Sequence, residues 1–209
     1  MKEENKLKKQ LLVEGKDDLH VVYAFCEQYK LPQNFEVIDC KGIPKLKDLV
    51  PRIFKQTQDL DTIGVIVDAD TTLQSIWDFL KDSFTKQGFV FPKNIPLNGL
   101  ILSNSDDKKI GIWIMPNNDL TGTLEDFVKL LIPNNDNLKQ VVEDTLIDIE
   151  NKKLNKYAQK DRQKAFINTW LAWQEKSGIQ MGQAITSKIL STNNQNAQDF
   201  SNWLTNLFK

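Results

Sequence analysis

A chain of 209 residues is long enough to bury a core of its own, and its 40% hydrophobic and 26% charged content describes an ordinary soluble globular protein. A formal net charge of −1 supplies no global field toward nucleic acid or membrane, so a polyanion would have to be met by a local patch. The charged opening MKEENKLKKQ has no apolar signal core, no run nears the roughly 18 apolar residues of a membrane span, and two cysteines are too few for a zinc cluster or a disulfide framework of their own.

Cytoplasmic residence with Cys26 and Cys40 reduced is therefore the expectation, a Cys26–Cys40 bridge being the alternative. Residues 9–14 read as a buried strand. Leu19, Val22, Tyr23 and Cys26 then recur at helical spacing until Pro32. FEVIDC (35–40) predicts a second strand with KG as its turn. Ile43, Leu46, Leu49, Val50, Ile53 and Phe54 form an amphipathic stripe that Pro51 interrupts. IGVIV (63–67) is apolar throughout, as expected of a strand covered on both faces. Leu73, Ile76, Trp77, Leu80 and Phe84 mark the next helix. The first 87 residues thus read β-α-β-α-β-α, an α/β pattern with a parallel sheet and crossover helices.

LNGLILS (97–103) and KIGIWIM (109–115) flank the turn-rich NSDD and predict an added antiparallel hairpin. Leu124, Phe127, Val128 and Leu131 predict a helix stopped by Pro133. Beyond it the pattern is helical: one helix carries Leu138, Val141, Val142, Leu146 and Ile149, and others fall near 158–174, 181–190 and 198–208. STNNQNAQ (191–198) reads as a loop. We expect one domain over 1–209, with a core of about 9–132 and a helical C-terminal part of about 137–209 packed on the sheet.

Three carboxylates stand where apolar strands give way to turns: Glu14 in KQLLVEGKDD, and Asp68 and Asp70 in TIGVIVDAD. The carboxyl ends of parallel strands share one edge, where ligands of open α/β sheets bind. Asp39 falls at such an end too. Asp68 and Asp70 are two apart and would face the same side of an extended strand end. Gly15 leaves room for a phosphate to approach. Carboxylates gathered there repel one another unless a cation neutralises them, and oxygen ligands suit Mg²⁺ or Mn²⁺. The plainer alternative is that such residues end strands as turn formers and helix caps.

LLVEGKDD followed by VIVDAD resembles the toprim domain of topoisomerases, bacterial primases, small RNA-maturing nucleases and the OLD nucleases. IGIWIMPNNDLTGTLEDFV, KAFINTWLAW and MGQAI resemble more closely a stand-alone, uncharacterised toprim-like family related to the OLD type, from about residue 9 to the C-terminus. The resemblance implies Glu14 as metal ligand or general acid/base, Asp68 and Asp70 as metal ligands, Glu125 as a further acidic ligand, and Lys164 as a lysine near the metals. The chain departs from the wider group at Gln74, where type II topoisomerases carry another acid, and it lacks primase zinc ligands. Glu125 and Asp126 also fit the first turn of a helix, where carboxylates are stabilised by free backbone N–H groups.

Lys152, Lys153, Lys156, Lys160 and Arg162 form a basic cluster that would hold a phosphate backbone if it flanks the acids; otherwise it is a solvated helix end. The five tryptophans fit apolar faces better than base stacking, and His20 falls two turns beyond Glu14.

The leading expectation is two-metal hydrolysis of nucleic-acid phosphodiesters. In it Glu14, Asp68, Asp70 and Glu125 hold Mg²⁺ ions roughly 4 Å apart. VIVDADTTL also fits a haloacid-dehalogenase-like phosphatase with Asp68 as nucleophile and Asp70 as acid/base, although no later G-D-x-x-x-D segment follows. A third possibility is a non-catalytic module that binds nucleotide, nucleic acid or a partner.

Overall fold

Five strands form one sheet in the computed structural model, which describes residues 8–31, 33–56 and 59–209; Pro32, expected to close the first helix, lies outside the described residues. The strands are β1 (Lys9–Val13), β2 (Glu36–Asp39), β3 (Thr62–Asp68), β4 (Leu100–Ser103) and β5 (Lys109–Met115), in the spatial order β2-β1-β3-β5-β4. β1 pairs in parallel with β2 and β3, β3 pairs in parallel with β5, and β4 runs antiparallel to β5. The expected α/β sheet and its hairpin are both present. The second hairpin strand joins the parallel core because it is the more apolar: Ile110 to Met115 are all buried, whereas β4 is half-exposed and takes the edge.

Period-two alternation sorts the strand side chains into two layers. Leu11, Val13, Ile66, Trp113 and Met115 face one side. There they meet α1 (Lys16–Tyr29), α5 (Leu124–Leu130), α6 (Leu138–Asn151), α7 (Arg162–Ala172), α8 (Met181–Thr186) and α9 (Gln195–Phe208). Leu12, Ile63, Val65, Val67, Ile110, Ile112 and Ile114 face the other side, under α2 (Ile43–Leu49), α3 (Ile53–Gln56) and α4 (Leu73–Thr85). The C-terminal helices thus share one continuous apolar layer with α1 and the sheet.

Two register partners, Gly64 and Gly111, let α9 lie directly on that sheet. A Cβ on Gly111 would stand 2.5 Å from Leu207 Cδ2, and one on Gly64 would stand 3.0 Å from the same atom. Trp203 sits beside Gly99 and Trp113, its indole N–H donating to the Leu100 carbonyl at 3.1 Å.

Several expected boundaries shift for local reasons. Pro51 has no amide to donate, so α2 stops at Leu49 and a 3₁₀ turn (Val50–Arg52) separates it from α3. A 3₁₀ turn at Gln159–Asp161 precedes α7, which ends at Ala172, and α8 ends at Thr186. The stretch 191–198 is only partly loop: the Asn194 side chain accepts the Ala197 N–H at 2.9 Å, and this cap starts α9 at Gln195. Tyr23 and Val141, expected on apolar faces, are exposed; Val21 and Phe25 fill the α1 core positions instead.

Candidate active site

Parallel pairing aligns the ends of β1 and β2, with Val13 opposite Asp39, and leaves Glu14 one residue past its strand. Glu14 Oε1 accepts the backbone N–H of Asp68 at 2.9 Å. Asp68 Oδ1 in turn accepts the N–H of Leu124, the first residue of α5, also at 2.9 Å. These two bonds join β1, β3 and α5 and bring Glu14 and Asp68 together. On the other flank the Gly42 N–H donates to the Glu14 carbonyl at 2.7 Å, which holds the turn after β2 against the same point.

The result is a cleft of about 450 Å³ whose lining includes Glu14, Asp68, Glu125 and Lys164, as well as Asp39 and Asp18. Glu125 Oε2 accepts the Thr123 hydroxyl at 2.9 Å, while Asp126 caps α5 by accepting the Thr123 N–H at 2.9 Å. Asp126 is therefore the helix cap that its position suggested.

Asp18 was not anticipated from the sequence. It is 7% exposed, and its Oδ2 accepts the Gly15 N–H at 3.1 Å at the start of α1. Its position four residues after Glu14, in the first turn of the helix that follows the strand end, was the available signal. The capping role concealed it.

These carboxyl groups are poorly solvated and repel one another. Burial first, then the Glu14 charge, with Asp18, Glu125 and Asp70 adding, pushes Asp68 up to about 9. Burial, followed by Glu14, raises Asp18 to about 7. Glu14 is raised mainly by burial, against the opposing pull of the Asp68 N–H. Among the described residues no salt bridge reaches Glu14, Asp18, Asp68, Asp70 or Glu125.

Asp70 departs from the extended geometry expected of it. The strand ends at Asp68, and Asp70 has φ +49 with its N–H bonded to the Gly122 carbonyl at 2.9 Å. It is exposed on an adjoining depression lined also by Asp68, Lys47, Thr71, Thr72 and Ser75. Its charge still reaches Glu14 and Asp68.

Among the described residues, no three His, Cys, Asp or Glu side chains are gathered to hold a metal ion. The expected four acids therefore do not form a ready cage. One oxygen each of Glu14, Asp18 and Asp68 is already engaged by a backbone N–H. The second oxygens of Glu14 and Asp68 remain, in a cleft whose acids have no salt-bridge partner among the described residues. Mg²⁺ characteristically binds through one or two carboxylates while keeping waters or substrate phosphates, and the donor set fits that mode.

Two members of the basic cluster are committed elsewhere. Arg162 bridges Glu143 at 2.7 Å and Glu150 at 2.9 Å, tying α6 to α7, and Lys152 pairs with Asp148 at 2.7 Å. Lys153, Lys156 and Lys160 are exposed and do not line the acid cleft; Lys164, from the first turn of α7, does. His20 lines a separate depression between α1 and α8. Trp77, Trp113, Trp170 and Trp203 are core, and Trp173 is 45% exposed. Cys26 and Cys40 are buried and free. No helix of the described residues is long and apolar enough to cross a membrane.

The model of a family described as a protein of unknown function (DUF3226) matches residues 8–209, and the chain belongs to that family. No curated protein and no solved structure matches it.

Proposed function

We propose that this member of a family of unknown function is a divalent-metal-dependent phosphodiesterase acting on nucleic acid. The observation that carries the proposal is the meeting of Glu14 and Asp68 at one cleft, joined through the Asp68 N–H at 2.9 Å and, among the described residues, with no salt bridge to either. The toprim-like motifs LLVEGKDD and VIVDAD, which contribute these two residues, favour the same chemistry.

Glu14 and Asp68 would hold a Mg²⁺ or Mn²⁺ ion. Such an ion supplies Lewis-acid polarisation of a phosphoryl oxygen and charge stabilisation of the leaving oxygen. The Asp68 and Leu124 amides fix the two carboxylates, so little rearrangement is needed when a cation arrives. Asp70 and Glu125 contribute negative potential from either side. Lys164 on the cleft wall is available to stabilise charge developing on the phosphate. Asp18 holds a carboxyl at the cleft floor that exchanges its proton near neutrality while the acids are unneutralised.

The phosphatase alternative needs Asp68 and Asp70 to address one phosphate. The left-handed turn at Asp70 weighs against it. A non-catalytic binding module is favoured by one observation, the lack of three gathered metal-capable side chains among the described residues.

The test is incubation of purified protein with single- and double-stranded DNA and RNA in Mg²⁺ or Mn²⁺. We expect cleavage that Asp68→Asn and Glu14→Gln each reduce by roughly a hundredfold or more, the scale of losing a preorganised electrostatic group. Cleavage that survives both substitutions would refute the proposal. Binding without cleavage in either metal would favour the non-catalytic module.

A further inference from the structure

Resting on the phosphodiesterase proposal, we infer that Lys16, Lys41 and Lys47 form the track that holds the nucleic-acid backbone on either side of Asp68. Lys16 opens α1, and Lys41 lies in the turn between β2 and α2; both line the acid cleft. Lys47, on α2, lines the adjoining depression with Thr71, Thr72 and Ser75. Asp68 lines both depressions, which therefore adjoin; Glu14, Asp18 and Asp68 are buried or half-buried there, and Lys16, Lys41 and Lys47 are exposed.

Three observations set these lysines apart from the basic cluster of residues 152–162. First, all three line the acid cleft or its neighbour and, among the described residues, form no salt bridge, whereas Lys153, Lys156 and Lys160 line neither depression and Arg162 and Lys152 are spent on Glu143, Glu150 and Asp148. Second, Lys41 has φ +56, a conformation that L-residues other than Asn and Asp seldom adopt, in a turn bonded to the acid site; Lys153, at φ +55, follows the end of α6 and does not line the cleft. The Lys41 N–H donating to Asp39 Oδ1 at 2.7 Å, and the Gly42 N–H donating to the Glu14 carbonyl at 2.7 Å, hold it there. The bonding that locks the turn onto Glu14 therefore also sets a cation at the rim, a strained placement of the kind found at functional sites. Third, Lys47 stands close enough to Glu14 for its charge to act on that carboxyl group.

The arrangement suits a chain of phosphates better than a single one. Flanking phosphates meet the lysines and hydroxyls, and the central phosphate lies over the acids. The floor is negative, so the track engages only when a divalent cation neutralises it.

Fluorescence anisotropy of labelled DNA and RNA oligonucleotides, with Ca²⁺ replacing Mg²⁺ so that binding is read without relying on cleavage, tests the track. The triple variant Lys16→Gln, Lys41→Asn, Lys47→Gln keeps an Asn where the left-handed backbone needs one. We expect it to lose roughly tenfold or more in affinity near 0.1 M salt, with a log K versus log salt slope shallower by about two to three. A second triple variant, Lys152→Gln, Lys153→Gln, Lys156→Gln, keeps wild-type affinity and slope. If the first variant melts well below wild type, Lys16→Gln and Lys47→Gln are read singly, each making the slope shallower by about one or somewhat less.

Wild-type binding that the track substitutions leave unchanged overturns the track alone, as does a loss that falls on the second triple variant. Competition by a mononucleotide as effective as by the oligonucleotide does so too, because one phosphate would then suffice. Failure of the wild type to bind any oligonucleotide overturns the nucleic-acid proposal itself, and the track with it.

Discussion

Asp68 combines demands that ordinarily conflict. Its N–H serves Glu14 and its Oδ1 serves Leu124, yet its carboxyl group is pushed up to about 9 by burial and by neighbouring acids. In an unfolded chain the same group ionises near the ordinary value of 3.8. Between those limits the folded state retains a proton that the unfolded state has released, so the contribution of Asp68 to stability is most favourable at low pH and falls as pH rises across the window. Asp18, raised to about 7, acts in the same direction over its lower part. In EDTA, the melting temperature is expected to fall between about pH 5 and pH 9. Asp68→Asn, which keeps an acceptor for Leu124, should flatten most of that fall and melt higher than wild type at pH 8. A wild-type melting temperature that rises over the same range would contradict this electrostatic picture.

At this scale the sequence revealed the two strand-end acids, because an apolar β run ending in Glu-Gly or Asp-x-Asp leaves few places for the carboxylates. It misled on Asp70, since the two-residue period holds only while the backbone stays extended, and φ +49 ends that. It hid Asp18 for a different reason. A carboxylate in the first turn of a helix is explained by capping alone, and only the folded structure shows the cleft beside it.

Among the elements, α9 packs directly on the sheet at a place where two side chains are missing. Gly64 and Gly111 are neighbours in the parallel ladder, and Leu207 fills the space that their missing side chains leave. Gly111→Ala is predicted to destabilise the protein by about 1–3 kcal/mol, the usual cost of overpacking. Pairing it with Leu207→Ala should cost less than the sum of the two single substitutions, because the second relieves the clash. Chemical denaturation of the four proteins measures both; strict additivity would mean that Leu207 is not what the glycines accommodate. The helical periodicities of α4, α5 and α9 were readable because each buries one clean face. The start of α9 was not, since an Asn-rich stretch suits a loop and a helix cap equally, and the Asn194 bond to Ala197 decides between them. The ion-paired node of Arg162, Glu143 and Glu150 was equally invisible, because the pairing spans two helices whose relative placement no local pattern encodes.

For the molecule as a whole, a net charge of −1 conceals a local concentration of charge: acids gather at one sheet edge, beside lysines that form no salt bridge among the described residues. The α/β architecture was legible because three apolar strands alternate with amphipathic helices, and their shared carboxyl edge follows from parallel pairing. How the acids would be neutralised was not legible, since that depends on distances between elements far apart in the chain. Glu14 and Asp68 meet, but the acids of the described residues are not drawn into a three-ligand cage, so any cation must complete its shell with water or phosphate. Isothermal titration of Mn²⁺ into metal-free protein at pH 8 addresses that point most directly. Binding of Mn²⁺ by the wild type, abolished by both Asp68→Asn and Glu14→Gln in variants that remain folded, is the predicted result. No heat from the wild type, or undiminished binding in both variants, would contradict it.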